Sequence, residues 1–88
     1  MTQVEINVLY FAAASTATGL SRERVPIPQN LPLAELGDLL VARHPKATTL
    51  RKILDGSKWS VDAEEVEDLE TVLKGGEEVA VLCPVSGG

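Results

Sequence analysis

One long stretch with helical periodicity constrains most strongly how this 88-residue chain can fold. Pro32 suits the first position of a helix, and His44 followed by Pro45 predicts its end. The residues between them at helical spacing form one stripe, which comprises Leu33, Leu36, Leu39, Leu40 and the aliphatic stem of Arg43. A single amphipathic helix needs a sheet on which to bury its stripe. The sequence therefore predicts an α+β domain with one main helix on a sheet.

Strand patterns lie on both sides of this helix. Apolar and polar residues alternate over residues 3–11, which predicts a first strand, and the β-forming residues of Val79–Cys83 predict the last. Weaker patterns predict a short helix in Ala12–Gly19, an edge strand over Arg24–Pro28, a helical turn at 50–54, short strands at Trp59–Val61 and Glu65–Glu67, and a turn at Lys74–Glu77. We expect the first and last strands to pair in a mixed sheet that the helix crosses. This order is typical of the ubiquitin-like β-grasp fold.

Charge and cysteine content exclude several classes of function. The formal net charge is −5, and nucleic-acid binding would need clustered Lys and Arg, so we expect no nucleic-acid partner. A single cysteine excludes an internal disulfide and a Cys-rich zinc site, and no metal site is expected. The first residues lack the pattern of a leader, and no apolar run has the length of a membrane span. We expect a cytosolic chain without a membrane partner.

The last residues are predicted to form an arm that ends in a carboxylate. Pro84 has no N–H for a strand ladder and therefore ends the last strand. Val85, Ser86, Gly87 and Gly88 continue to the terminus, and the glycines have no side chain that would block a narrow channel or attack on the last carbonyl. We therefore divide the chain into a β-grasp domain at 1–83 and an extended tail at 84–88.

The C-terminal sixteen residues resemble a known family. Residues 73–88 read LKGGEEVAVLCPVSGG, which is similar to the C-terminal block of the small subunit of molybdopterin synthase: L-x-x-G-D/E-E-V-A, two hydrophobic residues, then P-P-V-S/T-G-G. Val8–Ala12 is similar to the family's first strand, and Leu33–Leu40 to its helix. One departure is Cys83, which stands where the first proline of the pair usually lies.

This resemblance implies a sulfur carrier. It implies that an ATP-using enzyme, similar to ubiquitin-activating enzymes, adenylates Gly88, and that sulfur transfer then gives a thiocarboxylate. The tail residues Pro84, Val85, Ser86 and Gly87 would insert into the large synthase subunit, in a heterotetramer of two small and two large subunits. Phe11, Val66 and Leu82 would form the hydrophobic interface with partners. No tightly bound cofactor is implied. The chain carries no P-loop and no Ser/His/Asp set, so catalysis is expected from the large subunit.

Three other features have simpler explanations than chemistry. Cys83 is expected to be a small hydrophobic residue at the end of a strand rather than a sulfur relay. His44 is expected to end a helix rather than to bind a ligand. The acidic residues of 64–70 are expected to form a solvated face, and steering of the chain towards a basic partner groove stays open; they are Glu64, Glu65, Glu67, Asp68 and Glu70.

Other functions also stay open at this point. Sulfur carriers for thiamine or tRNA thiolation share the terminal Gly-Gly but generally lack the Pro-Val-Ser step before it. A protein modifier that is joined to lysines would use the same activated glycine. An interaction module would leave the tail unused.

Overall fold

The last strand of the chain lies in the middle of a five-stranded sheet. The computed structural model describes residues 2–83, and their elements are β1 (Gln3–Tyr10), α1 (Ala12–Thr18), β2 (Arg22–Pro28), β3 (Leu31–Pro32), α2 (Leu33–Arg43), α3 (Leu50–Asp55), β4 (Lys58–Val61), β5 (Glu64–Val66), β6 (Val72–Leu73) and β7 (Glu78–Leu82). The main sheet has the order β2-β1-β7-β4-β5, and β3 pairs with β6 in a separate two-stranded sheet. The predicted tail, residues 84–88, lies outside the described residues.

The predicted pairing of the first and last strands is confirmed. β1 runs parallel to β7, from Asn7 opposite Glu78 to Tyr10 opposite Val81. The three other pairings in the main sheet are antiparallel, and the proline-containing β2 lies at an edge, as its sequence predicts. This mixed sheet with one main helix is the ubiquitin-like β-grasp arrangement.

Helix α2 packs on one face of this sheet. Its leucines Leu33, Leu36 and Leu40 are fully buried, and Leu39 is half-buried, so the predicted stripe is confirmed. They share a core with the inward-facing residues of β1 and β7, namely Ile6, Val8, Tyr10, Val79 and Val81. Burial of each Leu, Ile or Val side chain stabilises the folded state by about 1.5–3 kcal/mol relative to leaving it exposed. The buried faces of the two strands and of the helix therefore determine how these elements pack together.

The start of α2 differs from the sequence expectation. Pro32 is not the first helical residue, because its ψ of 144° is extended and it pairs with Val72 in the two-stranded sheet. Without a side-chain cap, the first helical N–H groups are satisfied by the segment between β5 and β6: Leu33 N donates to Thr71 O at 2.8 Å and Ala34 N to Leu69 O at 2.9 Å. That segment therefore holds the beginning of the main helix.

The hairpin of β4 and β5 has a shorter turn than expected. Asp62 and Ala63 both have positive φ, 50° and 72°, so two residues make the turn and β5 begins at Glu64. Asp62 also ties the hairpin to β7, because its N–H donates to Glu78 O at 2.8 Å and its Oδ1 accepts from Glu78 N at 2.9 Å. The sequence predicts a three-residue turn at 62–64, and the structure instead places Glu64 in β5 and gives Ala63 a positive φ that is unusual for alanine.

The shorter helices follow their sequence patterns. Helix α1 ends where predicted, since Gly19 closes it in the left-handed conformation with a φ of 76°. Helix α3 buries Leu50 and Leu54 against the core. The turn before β7 contains Gly75 and Gly76, which confirms that this internal glycine pair is a turn.

Candidate protein-interaction site at the end of the last strand

The end of β7 is fixed between two neighbouring strands. Cys83, the last described residue, is half-buried and packs against the core. Its thiol donates to the carbonyl oxygen of Phe11, which follows β1, at 3.4 Å. On the other side, Lys58 of β4 pairs with Leu82. The chain beyond Cys83 therefore starts from the ordered middle of the sheet, and Cys83 occupies the structural position expected for it.

An apolar strip leads to this point on the sheet face opposite α2. Ala80 of β7 lies between Leu9 of β1 and Ser60 of β4, and the small side chains of Ala80 and Ser60 keep the strip flat. Leu82 lies two residues further along β7 on the same face. Phe11 continues β1 in extended conformation beside it and is 49% exposed. A flat apolar strip with an exposed aromatic residue suits a protein surface better than a small molecule.

Ion pairs frame the apolar strip. They are Arg22–Glu78 at 3.5 Å, Arg24–Glu5 at 3.9 Å and Lys58–Glu65 at 3.8 Å, all on the face of the strip. Their side chains are about half to two-thirds exposed, so each pair adds little to stability. The pairs instead place charges of both signs around the strip, where they can select the orientation of a partner.

The structure brings together two of the three residues predicted for the partner interface. Phe11 and Leu82 lie at the end of the apolar strip. Val66 does not join them, because it pairs with Trp59, which in turn pairs with the buried Val81. Opposite residues in antiparallel strands share a face, so Val66 lies half-buried on the helix side of the sheet. The interface role of Phe11 and Leu82 stays a prediction.

A buried polar cluster joins β1, β2 and the end of α2. The carboxylate of Glu23 accepts hydrogen bonds from the Tyr10 hydroxyl at 2.5 Å and from Arg43 Nε at 2.9 Å, and it contacts His44 Nε2 at 2.5 Å. The side chain of Glu23 is 11% exposed and that of His44 16%. The ring of His44 also packs edge-on against Tyr10, with the ring centroids 6.1 Å apart.

This cluster is structural. Burial by itself raises the pKa of the Glu23 carboxyl, but hydrogen bonds from Tyr10, Arg43 and His44 together outweigh burial and hold its pKa below the ordinary value. Burial, with the nearby Glu23, raises the pKa of Tyr10 far above its ordinary value. His44 closes α2 as predicted. Glu23 was not predicted from the sequence, because its partners lie 13 to 21 residues away and no local pattern marks it.

The remaining predicted features take simple positions. The acidic residues of segment 64–70 are all exposed, so the expectation of a solvated face is confirmed. Within residues 2–83, no three His, Cys, Asp or Glu side chains are placed to hold a metal ion. No helix in this part of the chain is long and apolar enough to cross a membrane. The predicted site residues Pro84, Val85, Ser86, Gly87 and Gly88 lie outside the described residues.

Comparison with solved structures places the fold in the ubiquitin-like β-grasp class. The small archaeal modifier protein 1 of Haloferax volcanii superposes with a TM-score of 0.78 at 20% identity, over 93% of this chain and 99% of that protein. A complex of subunits 1 and 2 of the molybdopterin-converting factor from Helicobacter pylori contains a chain that superposes with a TM-score of 0.62 at 24% identity, over 97% and 100% of the two chains. At these identities the likeness shows the fold alone.

Sequence comparison then gives the family. The ThiS family matches residues 8–88. A molybdopterin synthase sulfur carrier subunit from Phaeosphaeria nodorum is 39% identical over an alignment of 89 positions, which covers 93% of this chain and 88% of that protein. The chain therefore belongs to the ThiS family, among the molybdopterin synthase sulfur carrier subunits.

Proposed function

We propose that this chain carries sulfur as a thiocarboxylate on Gly88 and delivers it within molybdopterin synthase. The observation that carries the proposal is the strand β7, which is hydrogen-bonded on both sides and continues directly into the sequence Pro-Val-Ser-Gly-Gly. Family membership and the apolar strip beside this strand support it.

The chemistry follows from the poor reactivity of a carboxylate. An activating enzyme would transfer AMP from ATP to the Gly88 carboxylate, with release of pyrophosphate, and so give the carbonyl carbon a good leaving group. Hydrosulfide attacks that carbon, and a C–S bond forms as the C–O bond to AMP breaks, which gives the thiocarboxylate and AMP; a persulfide donor would give an acyl disulfide, which a second thiol then reduces to the thiocarboxylate. Each thiocarboxylate passes one sulfur atom to the pterin precursor, so two of them build the dithiolene. An oxygen atom from water restores each carboxylate. In this scheme the chain supplies no general base, and its glycines leave the carbonyl carbon open to attack.

Two partners follow from this proposal. The large synthase subunit would receive the tail residues Pro84, Val85, Ser86 and Gly87. The Helicobacter pylori structure, a complex of subunits 1 and 2 of its converting factor, supports a partner subunit of this kind. The whole synthase would be a heterotetramer. The activating enzyme would be an adenylyltransferase and sulfurtransferase related to ubiquitin-activating enzymes. We propose that Phe11 and Leu82 dock on these partners, since both lie on the apolar strip beside the end of β7.

The proposal is tested by the intact mass of the chain after incubation with an activating enzyme, ATP and a sulfur source. We expect a gain equal to one sulfur in place of one oxygen, located on the C-terminal glycine by fragmentation. A chain without Gly88 is the matched control and should not gain this mass. A conjugate with a lysine of another protein, without the thiocarboxylate, would favour a protein modifier and contradict the proposal.

Cys83 provides a second control in the same experiment. The Cys83 thiol packs against the core after β7 and donates to the carbonyl oxygen of Phe11, which is a structural role. Cys83→Ala should therefore still form the thiocarboxylate. A folded Cys83→Ala chain that no longer gains sulfur would show that the thiol takes part in the transfer, and would contradict the structural role given to it here.

A further inference from the structure

A glycine inside α2 opens a groove on the helix side of the sheet, opposite the apolar strip. Gly37 lies in the middle of α2, where glycine is less favourable than alanine. Its backbone does not have the positive φ that favours glycine. A Cβ atom at this position would lie 4.0 Å from Leu54 Cδ1 and 4.0 Å from Trp59 Cζ2, which is ordinary van der Waals contact. Backbone geometry and packing thus leave room for alanine, and the consequence of the glycine is open space beside Trp59.

This space belongs to the first of two adjoining pockets, which together form one groove. The first has a volume of about 200 Å³ and the second about 240 Å³. They share Ser57, Trp59 and Leu69, and Leu69 is 46% exposed. Each is smaller than the roughly 300–1,000 Å³ of a typical small-molecule site. Their size suits single side chains, so the groove fits a protein segment that places one side chain in each pocket.

The groove has a partly apolar floor and an acidic rim. Its basic residues are already paired. Arg51 pairs with Asp38 at 2.5 Å, and Lys58, which reaches the second pocket from the strip side at the β4–β5 edge of the sheet, pairs with Glu65 at 3.8 Å. Asp55 lines the first pocket and Glu67 the second, and neither has an ion-pair partner among residues 2–83. One wall is residues 64–70, EEVEDLE, whose two apolar residues, Val66 and Leu69, both line the groove. The charge around the groove is therefore complementary to a cation.

We infer that this groove binds a segment of a protein partner in which an aliphatic side chain lies next to a lysine or arginine. The aliphatic side chain enters the space left by Gly37, beside Trp59. The basic side chain lays its stem along the apolar floor and brings its charge to Asp55 or Glu67. The first pocket lies on the helix side of the sheet, opposite the apolar strip, and the second reaches the β4–β5 edge of the sheet. This second surface does not depend on the sulfur chemistry of the tail.

The test uses two blocked tetrapeptides, Lys-Leu-Lys-Leu and Glu-Leu-Glu-Leu, titrated into the full chain. Trp59 is the single tryptophan, so its fluorescence reports entry into the groove, and amide NMR shifts locate the site. We expect saturable binding of the basic peptide with a Kd of about 1 mM, since so small a contact gives weak affinity. Shifts should concentrate at Gly37, Ser57 and Leu69. The acidic peptide should bind at least about tenfold more weakly.

Variants distinguish binding in the groove from non-specific binding. Gly37→Leu fills the first pocket and should weaken the basic peptide about tenfold or more, while Gly37→Ala should have a smaller effect. The double variant Asp55→Lys with Glu67→Lys should weaken it about tenfold, because two favourable charge pairs become repulsive. Glu5→Lys, on the opposite face of the sheet, is the matched control and should leave the affinity unchanged. If Gly37→Leu does not fold, the charge variants carry the test.

Four outcomes would overturn the inference. Three of them concern the peptides: equal binding of the basic and acidic peptides, unchanged binding by a folded Gly37→Leu chain, and amide NMR shifts confined to the apolar strip instead of the groove. The fourth is a dimer in sedimentation experiments that Gly37→Leu abolishes, because such a dimer would assign the groove to a second copy of the chain rather than to a basic partner.

Discussion

Substituting Gly75 by alanine should destabilise the chain much more than the same change at the neighbouring Gly76. Both glycines lie in the turn before β7 with positive φ, 122° and 84°. A Cβ atom added at Gly75 would lie 2.8 Å from Val4 Cβ and 3.2 and 3.3 Å from its methyl carbons, whereas nothing lies within 4 Å at Gly76. The two substitutions therefore share a backbone penalty, and Gly75→Ala adds a steric clash.

The expected magnitudes follow from these two contributions. An L-residue forced into the left-handed region loses about 1–2 kcal/mol, which applies to both variants. Overpacking adds about 1–3 kcal/mol at Gly75, because Val4 Cβ is fixed by the backbone of β1 and cannot rotate away. We expect a loss of about 2–5 kcal/mol for Gly75→Ala and about 1–2 kcal/mol for Gly76→Ala. The total free energy of unfolding of a chain of this length is about 4–13 kcal/mol, so the loss expected for Gly75→Ala is a large fraction of it.

Urea unfolding followed by Trp59 fluorescence measures this difference, since Trp59 is 7% exposed in the folded chain. Adding Val4→Ala to Gly75→Ala should recover only part of the loss, because the shortest contact is to Val4 Cβ, which alanine keeps. Equal losses for Gly75→Ala and Gly76→Ala would refute the close approach of the turn to β1.

Three further predictions concern other parts of the molecule. Ala63→Gly should stabilise the chain by about 0.5–1 kcal/mol in thermal unfolding, because it relieves the positive φ in the β4–β5 turn, and an unchanged or lower Tm would contradict that turn. Because folding lowers the pKa of Glu23, this carboxylate contributes stability above about pH 4.5 that is lost as the pH falls through its folded pKa. Glu23→Gln should therefore lower the free energy of unfolding by roughly 1.5–3 kcal/mol at pH 7 and flatten its dependence on pH in this range. A variant whose stability changes with pH in parallel with that of the unmodified chain would contradict the role of the cluster. Phe11→Ser, on the exposed strip, should weaken binding to the large subunit by tenfold or more with little change in Tm, and unchanged binding would remove Phe11 from the interface.

Local patterns predicted the central elements because burial acts residue by residue along them. The alternation in β1, the β-forming residues of β7 and the leucine stripe of α2 each mark a segment that contributes buried side chains to the core. Strands β3 and β6 were not predicted, because two residues each are too short to show a period of two. They form because Leu31 and Leu73 pair and are both buried.

Val66 was predicted as an interface residue from the family resemblance alone, which does not specify the face of its strand. Val66 lies opposite Trp59 on the helix side of the sheet, whereas Phe11 and Leu82 lie on the other face. The β4–β5 turn has two residues, with Ala63 at a φ of 72°, so β5 begins at Glu64, one residue earlier than predicted. The role of Glu23 was not predicted, because its side-chain contacts are with residues that are distant in the sequence.

The most direct test of the sulfur-carrier proposal is synthase turnover by a chain with one residue added after Gly88. One residue moves the terminal carboxylate by about 3.5 Å, and a misplacement of about 1 Å can already reduce a rate ~100-fold. We therefore expect turnover to be abolished while the thermal melt stays unchanged, because the addition lies beyond β7, the central strand of the sheet. Deletion of Gly88 should give the same result, and Gly87→Val nearly the same. Normal turnover by the extended chain would contradict the assignment of Gly88 as the sulfur-bearing residue.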